Sequence, residues 1–202
     1  RANVYPMQEF LTRSRHGTCI KSCRHCQSKN ETCSHIIGNC PVVQDARIKR
    51  HNCICHMLSE TAKKKDWVVF QEPHIRDINN ELYKLDLIFV KENKALVVDV
   101  TVRYEFNNLT LEMAATEKMV KYQHLLAQVQ ELTNAEDVTF VGFPLGAGGK
   151  WYEKNSDLLC TLGLSKSKRE KVARALASRA LLTSVDIIHM FASKSRTVVS
   201  SA

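Results

Sequence analysis

No apolar run in this sequence approaches the length needed to cross a bilayer. The stretch Arg1 to Leu11 has no charged-then-apolar leader pattern. There is no internal repeat and no low-complexity tract, which excludes solenoid and linker-like architectures. The segment Gly146-Ala147-Gly148-Gly149-Lys150 is glycine-rich but lacks Walker spacing and its Ser or Thr, so nucleotide hydrolysis is excluded. An initiator methionine is also lacking, and we expect a fragment of a longer protein. Acidic residues are scarce at one end only. Residues 1–65 carry 12 Lys/Arg against 4 Asp/Glu, whereas residues 66–202 carry 17 of each. The net charge of +8 therefore sits in the first third. A localised basic block attracts a polyanion.

What is present suits an ordinary globular chain. Its 202 residues allow one domain plus a small module, and 44% are hydrophobic. Seven of the eight cysteines fall between Cys19 and Cys55. Such clustering, with histidines interleaved, favours metal ligation in a reducing compartment over a disulfide framework. The tightest set is Cys23-x2-Cys26-x8-His35-x4-Cys40, a CCHC knuckle whose thiolate and imidazole donors favour zinc. Cys19, His25 and Cys33 lie in the same loop and could substitute. Cys53, Cys55, His51 and His56 are read as packing residues or spares. A module this short has little core, so the metal would supply its folding energy. Arg24, Lys29, Arg47, Lys49 and Arg50 would then face phosphate.

After the knuckle, Pro41 opens a predicted helix from Val42 to about Lys65. Strands are predicted at 67–70, 85–90 and 95–102, with a four-residue turn at 91–94. A long helix is expected from about Leu109 to Leu132, with a seam of Ala115, Met119, Tyr122, Leu126 and Val129. A fourth strand covers 138–143, a glycine-rich loop 144–149, and two helices lie near 155–162 and 166–192. Trp151 is read as core. The order indicates an α/β fold, a small mixed sheet flanked by helices. We place a basic segment and knuckle at 1–45 and the second domain at 46–202.

The most informative stretch is the hairpin Leu85-Asp86-Leu87 to Val98-Asp99-Val100. Asp disfavours strands, and an unpaired carboxylate among apolar residues is costly. If the turn is centred between Glu92 and Asn93, Asp86 faces Asp99. Two opposed carboxylates repel unless one is protonated or a cation lies between them. A hard divalent cation resolves the conflict. Lys118 and Lys121 on the following helix are candidates to offset charge at phosphate, and Lys118 ranks first because it flanks the buried seam. Glu72, Glu105 and Glu112 are lesser acids, and Lys150 in the glycine loop could approach a phosphate.

The knuckle from Cys23-Arg24-His25-Cys26 to Cys40, the set Asp86…Asp99…Lys118-Met119-Val120-Lys121-Tyr122, and the later Gly146–Trp151 and Leu162-Gly163-Leu164 resemble the C-terminal region of site-specific non-LTR retrotransposon proteins. The resemblance covers nearly the whole chain and is closest to the lineage inserting into ribosomal RNA genes. It implies a restriction-endonuclease-like core of the PD-D-K type. Asp86 and Asp99 would be the catalytic acids and ligands of magnesium or manganese, with Lys118 or Lys121 as the displaced lysine. It implies nicking of target double-stranded DNA to prime reverse transcription, element RNA bound through the full-length protein, a reverse transcriptase upstream in cis, and a nuclear location, with no membrane. One departure is Leu85, where that family usually has Pro. The alternatives are a non-catalytic zinc-containing DNA- or RNA-binding module on a degenerate nuclease fold, and a zinc-stabilised protein-interaction domain.

Overall fold

The computed structural model describes Met7, Gln8 and residues 21–194. Cys19 and most of the basic N-terminal segment lie outside the described residues. The described residues form two compact units, one within 1–50 and 182–202 and the other 51–181.

In the first unit, a short loop reverses the chain at Cys23–Gln27. Gln27 N–H donates to Cys23 O, Gln27 sits at φ 60, and Cys23 N–H donates to Lys29 O at 2.7 Å. Helix α1 (Cys33–Gly38) follows, its first turn capped by the Thr32 hydroxyl, which accepts from His35 N–H at 3.0 Å. Pro41 opens a 3-10 turn, Pro41–Val43, that leads into helix α2 (Gln44–Lys63). Proline fits there because its missing N–H would be unsatisfied at a helix start in any case. Ile36, Ile37, Val43, Ile187, Ile188 and Phe191 are buried.

The second unit holds the sheet. Strands β1 (Val68–Gln71), β4 (Leu87–Lys91), β5 (Lys94–Arg103) and β6 (Asp137–Gly146) lie in the order β1-β4-β5-β6. The first three are antiparallel and β5–β6 is parallel, so the sheet is mixed and the fold is α/β, as expected. The parallel return needs a crossover, which is made by helices α3 (Thr110–Lys121) and α4 (Leu126–Thr133). Alternating side chains fill two cores. Leu87, Phe89, Leu96 and Val98 pack with Ile54, Leu58, Leu159 and Leu176. Ile88, Ala95 and Val97 pack with Tyr122, Leu125 and Val129. Burial on both faces explains why these strands read as near-continuous apolar runs.

Several expectations change in detail. The single helix over 109–132 is broken by a 3-10 turn at Gln123–Leu125. Of the expected seam, Ala115, Tyr122 and Val129 are buried, while Met119, ahead of the break, and Leu126, directly after it, are exposed; Leu111, Ala114 and Leu125 are buried in addition. The hairpin turn has two residues, because Lys91 and Lys94 still pair. Pro144 and Gly146 belong to β6 rather than to a loop. An edge strand tolerates proline because one side needs no ladder donor. A small hairpin, β2 (His74–Arg76) with β3 (Leu82–Lys84), was not predicted. Asp77 closes it, its carboxylate accepting from Asn79 and Glu81 N–H.

The last helices are α5 (Asn155–Thr161) and α6 (Lys166–Ser193). The expectation that no segment is long and apolar enough to cross a membrane changes here: by length and composition α6 is, although Arg179, Asp186 and His189 interrupt its sequence. Leu176, Ala180, Ser184, Ile187, Ile188 and Phe191 are buried at helical spacing, the pattern of a core-packed helix.

One glycine sets how closely α3 meets the sheet. A Cβ on Gly142 would lie 2.8 Å from Ala115 Cα and closer still to Ala115 O. Gly142 is the ladder partner of Asp99. We predict that Gly142→Ala costs about 1–3 kcal/mol by overpacking. Urea unfolding checks this, and wild-type stability in the variant would refute the contact.

Candidate functional site

The β4–β5 register is Leu87↔Val98, Ile88↔Val97 and Val90↔Ala95. Continued by one residue, it sets Asp86 beside Asp99. Asp86 immediately precedes β4, and its backbone carbonyl accepts from Glu72 N–H at 2.9 Å. Its carboxylate reaches across the hairpin: Oδ2 accepts from Val100 N–H at 2.7 Å. Asp99 sits within β5 and is buried. Lys118 on α3 places Nζ 2.8 Å from Asp99 Oδ1. Lys121 turns elsewhere. Its Nζ is 2.6 Å from the Tyr122 hydroxyl and 4.4 Å from that ring's centroid. Tyr122 in turn donates to Lys84 O. The structure therefore brings Asp86, Asp99 and Lys118 together and leaves Lys121 one step away.

The two carboxyls differ in character. Burial raises Asp99 above its ordinary value; Lys118 opposes the rise and the Asp86 charge adds to it. Burial would also raise Asp86, but the hydrogen bond and charge of His51, with the Val100 N–H, outweigh it and hold it low. Two neighbouring carboxylates, Asp99 buried and Asp86 half-buried, with Lys118 on one and His51 on the other, are a donor set that suits a hard divalent cation.

His51 was missed by the sequence reading. Its Nε2 is 3.2 Å from Asp86 Oδ1 and 3.4 Å from Cys55 Sγ. The available signal was the i, i+4 spacing of His51 and Cys55, which puts both on one helical face. Leu85 also has an explanation. It is fully buried, and its N–H donates to Pro73 O at 3.1 Å, a bond that proline could not make.

The lesser acids are engaged locally. Glu72 pairs with Lys84 and Glu112 with Lys154. Glu105 accepts from Gly148 N–H, shaping the glycine loop. Trp151 packs against the larger core, edge-on to Phe143.

The knuckle residues converge. Cys23, Cys26, His35 and Cys40 place their ligand atoms within 4.8 Å of one another. Cys23 Sγ lies 3.9 Å from Cys40 Sγ, and Cys26 Sγ 3.3 Å from His35 Nε2. Burial pushes the Cys40 thiol up to about 12, with the neighbouring Cys23 charge adding to the rise. Three crowded thiols and an imidazole are a set that can bind zinc, since a cation lets the thiols ionise. Among the alternatives, His25 Nε2 is engaged with Phe191 O at 3.0 Å.

The expected phosphate contacts divide. Lys29, Lys49 and Lys150 are exposed. Arg50 is a correction: it is 4% exposed and donates to Ser184 Oγ and Ile37 O. Burial, together with the Arg47 charge, lowers it to about 10. Arg47 donates to Cys40 O. Arg24 is bound to Glu31 through Nε and Nη2, and Glu31 also accepts from Arg24 N–H and Gln8 N–H. Sequence could count these cations but not foresee which would find internal acceptors. Glu31 is fully buried, so Glu31→Ala should cost about 3 kcal/mol by removing the carboxylate that the Arg24 guanidinium is bound to. Chemical denaturation of the zinc-loaded protein measures this, and an unchanged midpoint would contradict it.

No family model matches the chain. Relatives do, and they share one description. The chain is similar to retrovirus-related Pol polyproteins from type-1 retrotransposable element R2. One, from Popillia japonica, is 29% identical over 174 residues, covering 85% of this chain and 35% of the relative. Another from the same organism is 35% identical over 146 residues, covering 71% and 20%. A third, from Nasonia vitripennis, is 24% identical over 187 residues, covering 90% and 18%. The chain thus spans about a third or less of the length of these relatives. The similarity supports a retrotransposon-related protein.

Proposed function

We propose that this chain is the metal-dependent DNA endonuclease portion of a retrotransposon protein, with a PD-D-K type core and a zinc knuckle that serves structure. The observation that carries the reading is the placement of Asp86 and Asp99 side by side on a buried hairpin, with Lys118 on Asp99. Asp86 and Asp99 would hold magnesium or manganese. A hard cation bound there polarises a phosphate and lowers the pKa of its water.

The chain's own groups do the rest. The Val100 N–H fixes the Asp86 carboxylate in rotation. Lys118 is a buried-side cation available to offset charge developing on a phosphate oxygen. The exposed Lys29, Lys49 and Lys150 supply sequence-independent phosphate contacts. In the larger protein, the nick's 3′ end primes reverse transcription of element RNA in the nucleus, and the reverse transcriptase lies upstream in cis.

The experiment is nicking of supercoiled plasmid with added magnesium. Open-circle product that disappears on chelation is expected. Salt-sensitive DNA binding without cleavage, in either magnesium or manganese, would reject the nuclease reading in favour of a binding module.

A further inference from the structure

The Asp86 carboxylate has a second set of neighbours. Helix α2 presents His51 and Cys55 on one face, four residues apart. His51 Nε2, Cys55 Sγ and an Asp86 oxygen all lie within 4.8 Å of one another. The N–S separation is 3.4 Å and the N–O separation 3.2 Å. Tetrahedral zinc, with Zn–N and Zn–O near 2.0–2.1 Å and Zn–S near 2.3 Å, separates such ligand pairs by about 3.6 and about 3.3 Å. The N–S and N–O separations therefore match two edges of a zinc tetrahedron, and the third pair, S–O, lies within 4.8 Å.

Donor chemistry points the same way. One thiol, one imidazole and one carboxylate oxygen form a borderline-soft set, suited to zinc or cobalt and foreign to magnesium. His51 and Cys55 line a cavity of about 330 Å³ together with His56, Gln71 and Glu72. It has room for a water at the fourth position.

We propose that His51, Cys55 and Asp86 form a second metal site, for a borderline-soft divalent cation such as zinc, which competes with the hard-cation dyad for Asp86. Binding at this site does not depend on the nuclease reading; the inhibition that follows from it rests on that reading. With Asp86 turned into a zinc ligand, Asp99 alone remains for magnesium. Zinc beyond what the knuckle takes up would then switch nicking off.

The test separates the two claims. Cobalt, whose thiolate complexes absorb, is titrated into the metal-stripped protein without DNA. The wild type should bind one equivalent more than Cys55→Ser, and His51→Gln should lose the same equivalent. Circular dichroism identifies a misfolded variant, and the other variant then decides. Equal cobalt uptake by wild type and a folded variant would overturn the site. In a second arm, zinc is added to magnesium-supported nicking, each protein being normalised to its own zinc-free rate. The wild type should lose nicking, and Cys55→Ser should retain a larger fraction at the same zinc concentration. Equal inhibition of the two would overturn the competition. A protein that shows the extra cobalt equivalent but never nicks would sink the nuclease reading and leave the site standing.

Discussion

Replacing Asp99 with alanine is expected to lower magnesium-dependent nicking by at least about 10²–10³-fold, the size seen when one preorganised electrostatic group is removed from a reacting centre. Asp99 is buried in the central part of the sheet and is the acceptor for Lys118 at 2.8 Å. Its removal takes away a cation ligand and frees the lysine, so the alanine variant also carries a stability cost. Asp99→Asn separates these effects, since it keeps the shape and loses the charge. Both variants, and Asp86→Ala, should still bind plasmid DNA. Wild-type nicking rates in the two Asp99 variants would eliminate this hairpin as the cutting site.

The second large effect concerns the knuckle. Structural zinc in small modules contributes apparent binding free energies of roughly 10–16 kcal/mol, which exceeds what a core of this size can provide. Cys40 is fully buried, adjoins Cys23, and its carbonyl receives Arg47. Cys40→Ser should therefore release zinc and expose the backbone from Cys23 to Val43. Metal analysis and amide hydrogen exchange over that stretch are the measurements. Full zinc retention with unchanged protection would show that the ligand set is different.

Much of the second unit was legible because its signals are local. Two Asp residues in apolar strands, and a short turn between them, were enough to fix pairing by arithmetic, and Leu87↔Val98 obeys it. The knuckle was legible for the same reason, as spacing along a short loop. What sequence could not carry was partnership at a distance. No residue at 122–125 announces a helix break; Tyr122 and Leu125 are ordinary helix residues that tertiary packing bends into a 3-10 turn. His51 reads as one of several spare histidines until the hairpin brings Asp86 to it. Arg50 reads as a phosphate contact until the Ser184 hydroxyl, 134 residues later, accepts a hydrogen bond from it.

The parallel pairing of β5 with β6 has a temporal consequence. Asp99 is made before Lys118, and Lys118 before Asp137, where the returning strand starts. Until β6 docks, the intervening crossover has only part of its resting surface, because Gly142 is what lets α3 settle closely. Closing a loop of that span precedes the contacts that reward it, so such pairings form late. A chain still emerging from the ribosome would hold both acids on their hairpin before the surface that seats the helix bearing Lys118 is complete. The Asp99–Lys118 pair is then completed with the last strand rather than with the last of its own residues.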